Sequence, residues 1–134
     1  MPITTGGALM AASRYSLAAH PEARQRALWL IRDYPHIKAK LDALDGISAG
    51  PQDGQPHSHE PHSAVEADAI RRADLSAQLG YVDRAFTHIP QEYRRGLWDS
   101  IVYRRYYPDT AGIKTWKRWR QRLLWWTAFY AGFL

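Results

Sequence analysis

The stretch IKTWKRWRQRLLWWTAFY, residues 113–130, decides the fold class of this chain. On a helical wheel its large apolar side chains, spaced by three and four residues, fall on one arc: Trp116, Trp119, Leu123, Trp126 and Tyr130. Polar and cationic side chains occupy the opposite arc of the first half: Lys114, Lys117, Arg118, Gln121 and Arg122. This pattern predicts an amphipathic helix with a buried aromatic stripe and a basic outer face.

Two short helices are expected near the N-terminus. Pro21 can begin the first, since the first helical position needs no amide hydrogen. Pro35 is expected to break or kink it, because a proline disfavours the α conformation at Tyr34. A second helix would carry apolar residues at helical spacing and end at Gly46. The sequence thus predicts a helical pair over 21–44, preceded by a tail over 1–20.

Residues 45–62, DGISAGPQDGQPHSHEPH, are rich in glycine and proline and almost free of apolar side chains. Little in this segment could offset the entropy lost on ordering its backbone, so it is predicted to be a flexible linker. Residues 57, 59 and 62 are histidines, which could ligate a metal with Glu60, but a polar linker without a supporting scaffold is the favoured interpretation. No metal site, other cofactor or catalytic residue is therefore predicted.

Two further helices are expected between the linker and residue 113. The first opens with Ser63 and Glu66, which match a capping box, and carries apolar residues at steps of three and four up to Ile89. Pro90 begins the next, which should end near 106–108 and lead into a turn that contains Gly112. No strand-like alternation or repeat is visible. The fold prediction is all-α with about five helices, the last ones forming a helical domain over 63–134.

Charge is distributed unevenly along the chain. The net charge is +5, yet residues 94–134 hold nine Lys/Arg against Asp99 and Asp109, whereas the first 93 residues carry a net charge of −2. A basic block on a near-neutral body is typical of a surface that binds a polyanion. The absence of cysteine excludes thiol chemistry and fits a reducing, cytoplasmic location. No catalytic motif, signal peptide or apolar run of about 18 residues is present, so neither an enzyme nor a membrane-spanning protein is predicted.

Two helices joined by a turn that contains glycine, the second helix being basic on its outer face, are typical of a helix-turn-helix DNA reader. Arginine and glutamine suit base edges, and lysine suits phosphates. The predicted DNA-binding residues are Lys114, Thr115, Lys117, Arg118, Gln121, Arg122, Arg104 and Arg105. Trp125, Phe129 and Phe133 lie off the predicted core stripe. They are expected either to contact a partner, RNA polymerase or a second copy, or to pack on the preceding helices.

Several motifs also resemble a known family. LIRDYPHIKAKLDAL at 30–44, IPQEYRRGLW at 89–98, YRRYYP at 103–108, TWKRWRQRLL at 115–124 and AGFL at 131–134 occur in the order typical of the RinA/ArpU-type phage transcriptional activators. The C-terminal half is in turn similar to region 4 of sigma factors. The resemblance implies a sequence-specific DNA-binding regulator, an activator of late or lysogeny-related genes of a phage or prophage.

Two alternatives remain open from the residues alone. One is an oligomeric DNA-packaging or architectural protein of a phage, such as a small terminase subunit. The other is a peripheral membrane protein, because a basic amphipathic helix with Trp and Phe also suits a lipid interface. Double-stranded DNA is the expected partner, and no membrane contact is expected.

Overall fold

The computed structural model describes residues 14–49 and 61–134, and within these residues the chain forms four α-helices and no strand. The helices are α1 (Pro21–Ala49), α2 (Pro61–Phe86), α3 (Gln91–Tyr103) and α4 (Ile113–Ala131). The all-α class is thus confirmed. The expectation of about five helices is corrected to four over the described ranges, and the difference lies in the first of them.

Helix α1 runs without interruption through Pro35, so the predicted pair over 21–44 is a single helix that continues past Gly46 to residue 49. A proline inside a helix removes one backbone hydrogen bond and costs about 3 kcal/mol. The side chains on either side offset this cost, because Ile31 and Ile37 are both almost fully buried. The Tyr34 hydroxyl also donates a hydrogen bond of 2.8 Å to Oδ1 of Asp83 on α2. Tertiary contacts therefore hold the helix where local preference predicts a break.

Helix α2 begins at Pro61, two residues before the predicted cap, so Ser63 lies inside the first turn and is not the N-cap residue. A proline suits the first helical position, where its missing amide hydrogen is not needed. Residues 45–49 belong to α1 and residues 61–62 to α2. The predicted linker is shortened at both ends accordingly, and its remaining residues, 50–60, lie outside the described part of the chain, as does most of the predicted tail.

One hydrophobic core joins all four helices. It contains Ala27 and Ile31 of α1, Val82 of α2, Leu97 of α3 and Leu123 of α4, each 1% exposed or less. The N-terminal helix therefore shares its core with the C-terminal half. The predicted aromatic stripe of α4 is confirmed for Trp116, whereas Trp119, Trp126 and Tyr130 are half-buried at its margin. The buried centre of the helix also includes residues that the wheel did not single out, namely Leu124, Thr127 and Ala128.

The segment before α1 packs against α4. Leu17 is 3% exposed, and the ring of Tyr15 meets that of Trp125 edge-on, with the ring centres 5.3 Å apart. On the other side, the exposed His88, which follows α2, stacks on Trp126 at 3.5 Å. Its Nε2 lies 2.7 Å from the hydroxyl of Tyr130. Helix α4 thus packs against the segment that precedes α1 and against His88, which follows α2.

Candidate nucleic-acid interface

Trp116 fixes the angle between α3 and α4. Its indole Nε1 donates a hydrogen bond of 3.0 Å to the carbonyl of Pro108, its ring stacks parallel to Tyr107, and it meets Tyr93 edge-on. The ring lies against Gly96, where an added Cβ would come within 2.5 Å of the Trp116 ring. A side chain larger than hydrogen would therefore separate α3 from α4 at this point.

The connection between these helices begins and ends in particular backbone conformations. Arg104 caps α3 in the left-handed region at φ 57°, which is strained for a residue other than glycine. Gly112 precedes α4 in an extended conformation and gives no side-chain cap. The first-turn amides of α4 thus lack a side-chain acceptor from this position, and such a helix end favours an anion. Within the connection, Tyr106 is 99% exposed.

The predicted DNA-binding residues are mostly exposed and lie on α4 or in the connection that precedes it, and together we call them the basic face. It comprises the exposed Arg104, Arg105, Lys114, Lys117, Arg118 and Gln121, with the half-buried Thr115 and Arg122. Lys114, Arg118 and Gln121 recur at spacings of four and three, which keeps them on one side of α4. The prediction of α4 itself is confirmed, since the expected range 113–130 differs from the observed Ile113–Ala131 by one residue.

Acidic side chains neutralise little of the basic face. Asp99 pairs with Arg95 at 3.3 Å and with Arg105 at 3.9 Å. In the part of the chain that the structure describes, none of the other cations of the face forms an ion pair: Arg104, Lys114, Lys117, Arg118 and Arg122. Surface cations are usually interspersed with carboxylates, so an unneutralised group of this size produces a positive potential that attracts polyanions.

Two residues of the basic face are held by the N-terminal segment. The Gln121 amide donates a hydrogen bond of 3.4 Å to the carbonyl of Tyr15. The Arg122 guanidinium lies 5.0 Å from the Tyr15 ring centre and 4.9 Å from that of Trp119, so it has cation–π contacts to two rings. These contacts were not predicted, because nothing in the sequence around Tyr15 indicates that it meets a helix about a hundred residues later.

Arg32 of α1 is a further cation near the basic face, and the sequence analysis did not predict its place there. Burial, together with the neighbouring guanidinium groups of Arg104 and Arg120, lowers the pKa of Arg32 from its ordinary value. The Arg32 Nε donates to the carbonyl of Ile101 near the end of α3, which brings α1 next to the start of the connection. Like charges thus gather where α1, the connection and α4 meet. On the sequence alone Arg32 is an ordinary helix residue, and no local signal marks it.

The aromatic residues off the predicted core stripe, which were expected either to contact a partner or to pack internally, differ in how far they are buried. Trp125 is half-buried between Tyr15 and Phe129, and the Arg26 guanidinium lies 4.1 Å from the ring centre of Phe133. Phe129 is 51% exposed and lies on the same side of α4 as Arg118. Only Phe129 of this set therefore presents most of its ring to solvent.

The predicted histidine-rich segment is largely outside the described residues, where His57 and His59 fall, and nothing is described of the His62 side chain. In residues 14–49 and 61–134 no group of three or more His, Asp or Glu side chains is placed to hold a metal ion. None of the helices in these ranges combines the length and the apolar character that crossing a membrane requires.

Comparison of the chain with protein-family models, with curated proteins and with solved structures gives no match.

Proposed function

We propose that this chain binds double-stranded DNA through the basic face. The observation that carries the proposal is the group of cations on and beside α4 that have no acidic partner among the described residues. DNA offers a regular array of negative charges, and release of its condensed counterions favours binding of such a surface. The uncapped first turn of α4 supports a phosphate contact at the same place.

In this proposal α3, the connection and α4 act as a helix-turn-helix-like unit with α4 as the recognition helix. Arg118 is exposed and has the planar fork that reads a guanine edge, so it is the first candidate for base recognition. Gln121 can read adenine only after releasing the Tyr15 carbonyl. Lys114 and Lys117 are exposed point charges suited to phosphates.

The resemblance to phage activators suggests the biological role. We propose a sequence-specific regulator of phage or prophage transcription that works in the cytoplasm, with Phe129 in reach of RNA polymerase or a second copy. A packaging or architectural protein would use the same face without a strong base preference. Selection of bound sequences from random duplex DNA separates the two, since only a regulator enriches a defined site.

The test of DNA binding is fluorescence anisotropy with a labelled duplex over a series of salt concentrations. Five or six phosphate contacts predict a slope of log K against log salt of about −5. Arg118→Gln should lower affinity for the selected site, whereas Lys38→Gln, on the exposed surface of α1, removes one charge away from the face and should have no effect. A flat salt response, or equal losses for both variants, would exclude the basic face as the DNA surface.

Binding to anionic lipid is a second candidate, favoured by one observation. Phe129 is 51% exposed and shares a side of α4 with Arg118, an arrangement that suits a membrane surface. Flotation with vesicles of phosphatidylglycerol and phosphatidylcholine tests it directly. Binding that is lost in Phe129→Ser, with no measurable DNA affinity, would favour the membrane over DNA.

A further inference from the structure

A groove lies beside the basic face, between the N-terminal segment, α1 and α4. Its cationic lining comes from Arg24 of α1 and from Lys117 and Arg120 of α4. The rest of the lining comprises Ser16, Leu17, Ala18, Tyr107, Gln121 and Leu124. The volume is about 580 Å³. We call it the Arg120 groove. Because Lys117 and Gln121 also belong to the basic face, the groove opens onto the proposed DNA surface.

The charge of the Arg120 groove is entirely positive. Three cations line it and no carboxylate does. Over the described ranges of the chain, neither Arg24, Lys117 nor Arg120 forms an ion pair. Arg104 and Arg120 each lie close enough to Arg32 for their charges, in addition to burial, to lower its pKa. Such repulsion opposes folding unless an anion offsets it.

The position of Arg120 leaves hydrogen-bonding capacity unused. Its Nη1 donates to the Tyr107 hydroxyl at 3.4 Å, which orients the guanidinium in the groove. Its Nε is inaccessible to solvent and has no partner among the described residues. A buried donor without an acceptor costs free energy, and a turn of the guanidinium that exposes Nε to the groove would let a bound oxyanion satisfy it. Leu17 and Leu124, which are almost fully buried, supply an apolar part of the lining.

We propose that the Arg120 groove is a phosphate-binding site and that its ligand is one backbone phosphate of the duplex bound by α4. This inference rests on the proposed function for the source of the phosphate. Guanidinium groups bind phosphate oxygens in pairs, and Arg24 and Arg120 can approach one phosphate from two helices. The groove is far larger than the about 30 Å³ that a water molecule occupies, so it has room for a phosphate with its sugar.

Arg24 is the residue that tests the proposal. It is exposed, it lies on α1 outside the helix-turn-helix-like unit, and it has no side-chain bond in the described structure, so Arg24→Gln should fold normally. Lys38→Gln is the matched control, because it removes one exposed charge from the same helix about 20 Å further along its axis.

The first measurement uses the full chain without DNA. Pyrophosphate, compared with chloride at equal ionic strength, should raise the Tm of the native protein and of Lys38→Gln by about 2–4 °C. It should raise the Tm of Arg24→Gln by less than half as much. Equal stabilisation of all three proteins, or of none, would overturn the phosphate site whatever the DNA result.

The second measurement uses duplexes in which one phosphate at a time is replaced by an uncharged methylphosphonate. One position should weaken binding of the native protein about tenfold and should leave Arg24→Gln, already weakened, unchanged. If the duplex binds but Arg24→Gln matches the native protein at every position, the DNA function stands and the groove is not part of it. If pyrophosphate acts through Arg24 but no duplex binds, the groove takes a phosphate from another source and the proposed function is wrong.

Discussion

Replacing Arg104 by glycine should stabilise the folded protein and weaken its DNA binding at the same time. Arg104 adopts φ 57° and ψ 37°, a conformation that costs a residue with a Cβ about 1–2 kcal/mol. Glycine avoids this strain but loses about 0.5–1 kcal/mol more in conformational entropy on folding. Removing the guanidinium also relieves its repulsion of Arg32. The expected gain is about 1 kcal/mol, which corresponds to a Tm rise of about 4 °C in a chain of this size.

Thermal unfolding followed by circular dichroism measures the gain, and anisotropy with duplex DNA measures the loss. Arg104→Gln is the control, because it removes the same charge but keeps a side chain in the left-handed conformation. Both variants should reduce the salt slope by about one unit, and Arg104→Gly alone should gain the stability that comes from the backbone. A glycine variant less stable than the native protein would refute the strain argument, and unchanged DNA affinity in both would remove Arg104 from the basic face.

Substitutions at three further positions test how the helices are held together. Gly96→Ala should cost about 2–3 kcal/mol in urea unfolding, because its Cβ would lie 2.5 Å from the buried Trp116 ring. Gly80→Ala, where no atom lies within 4 Å of the added Cβ, should instead stabilise the protein by about 0.5–1 kcal/mol. Equal effects at the two glycines would contradict this packing. Tyr34→Phe should cost about 1 kcal/mol at neutral pH by removing the hydrogen bond to Asp83. Burial and that bond raise the pKa of Tyr34 from 10.0 to about 12. The difference in unfolding free energy between the native protein and Tyr34→Phe should therefore be constant below pH 10.0 and should shrink as the pH rises towards 12. A difference that persists at about pH 12 would show that the hydroxyl proton is not its source.

The parts of the fold that the sequence predicts correctly are those governed by local periodicity. Helix α4 has aromatic residues on one side and basic residues on the other at helical spacing, and both its ends were predicted to within a residue. Its C-terminus follows from Gly132, which takes φ 76°, while the amide of Phe133 bonds back to the carbonyl of Ala128. Such signals are contained in a few neighbouring residues, so no tertiary knowledge is needed to interpret them.

The uninterrupted helix α1 could not be predicted from local signals. The residues around Pro35 favour a break, and the opposing contributions come from the burial of Ile31 and Ile37 and from Asp83 on another helix. The candidate site shows the same division. The exposed cations of α4 were predicted from their spacing, but the placement of Arg24 and Arg120 in one groove depends on how α1 packs on α4. A charge pattern along one helix does not contain that information.

The N-terminal segment gives the basic face a property that charge alone would not supply. A long arginine side chain on a free surface loses rotamer entropy when it binds a ligand, at about 0.5–1.5 kcal/mol for each ordered side chain. Arg122 has already lost part of that freedom, because its guanidinium contacts the rings of both Tyr15 and Trp119. Arg120 is similarly restrained by the Tyr107 hydroxyl. The restraint comes from neutral rings and a hydroxyl group and not from carboxylates, so these side chains are positioned without being neutralised. For binding a polyanion this combination is favourable on both counts, since the positive charge remains available and less conformational entropy is lost when the phosphate arrives.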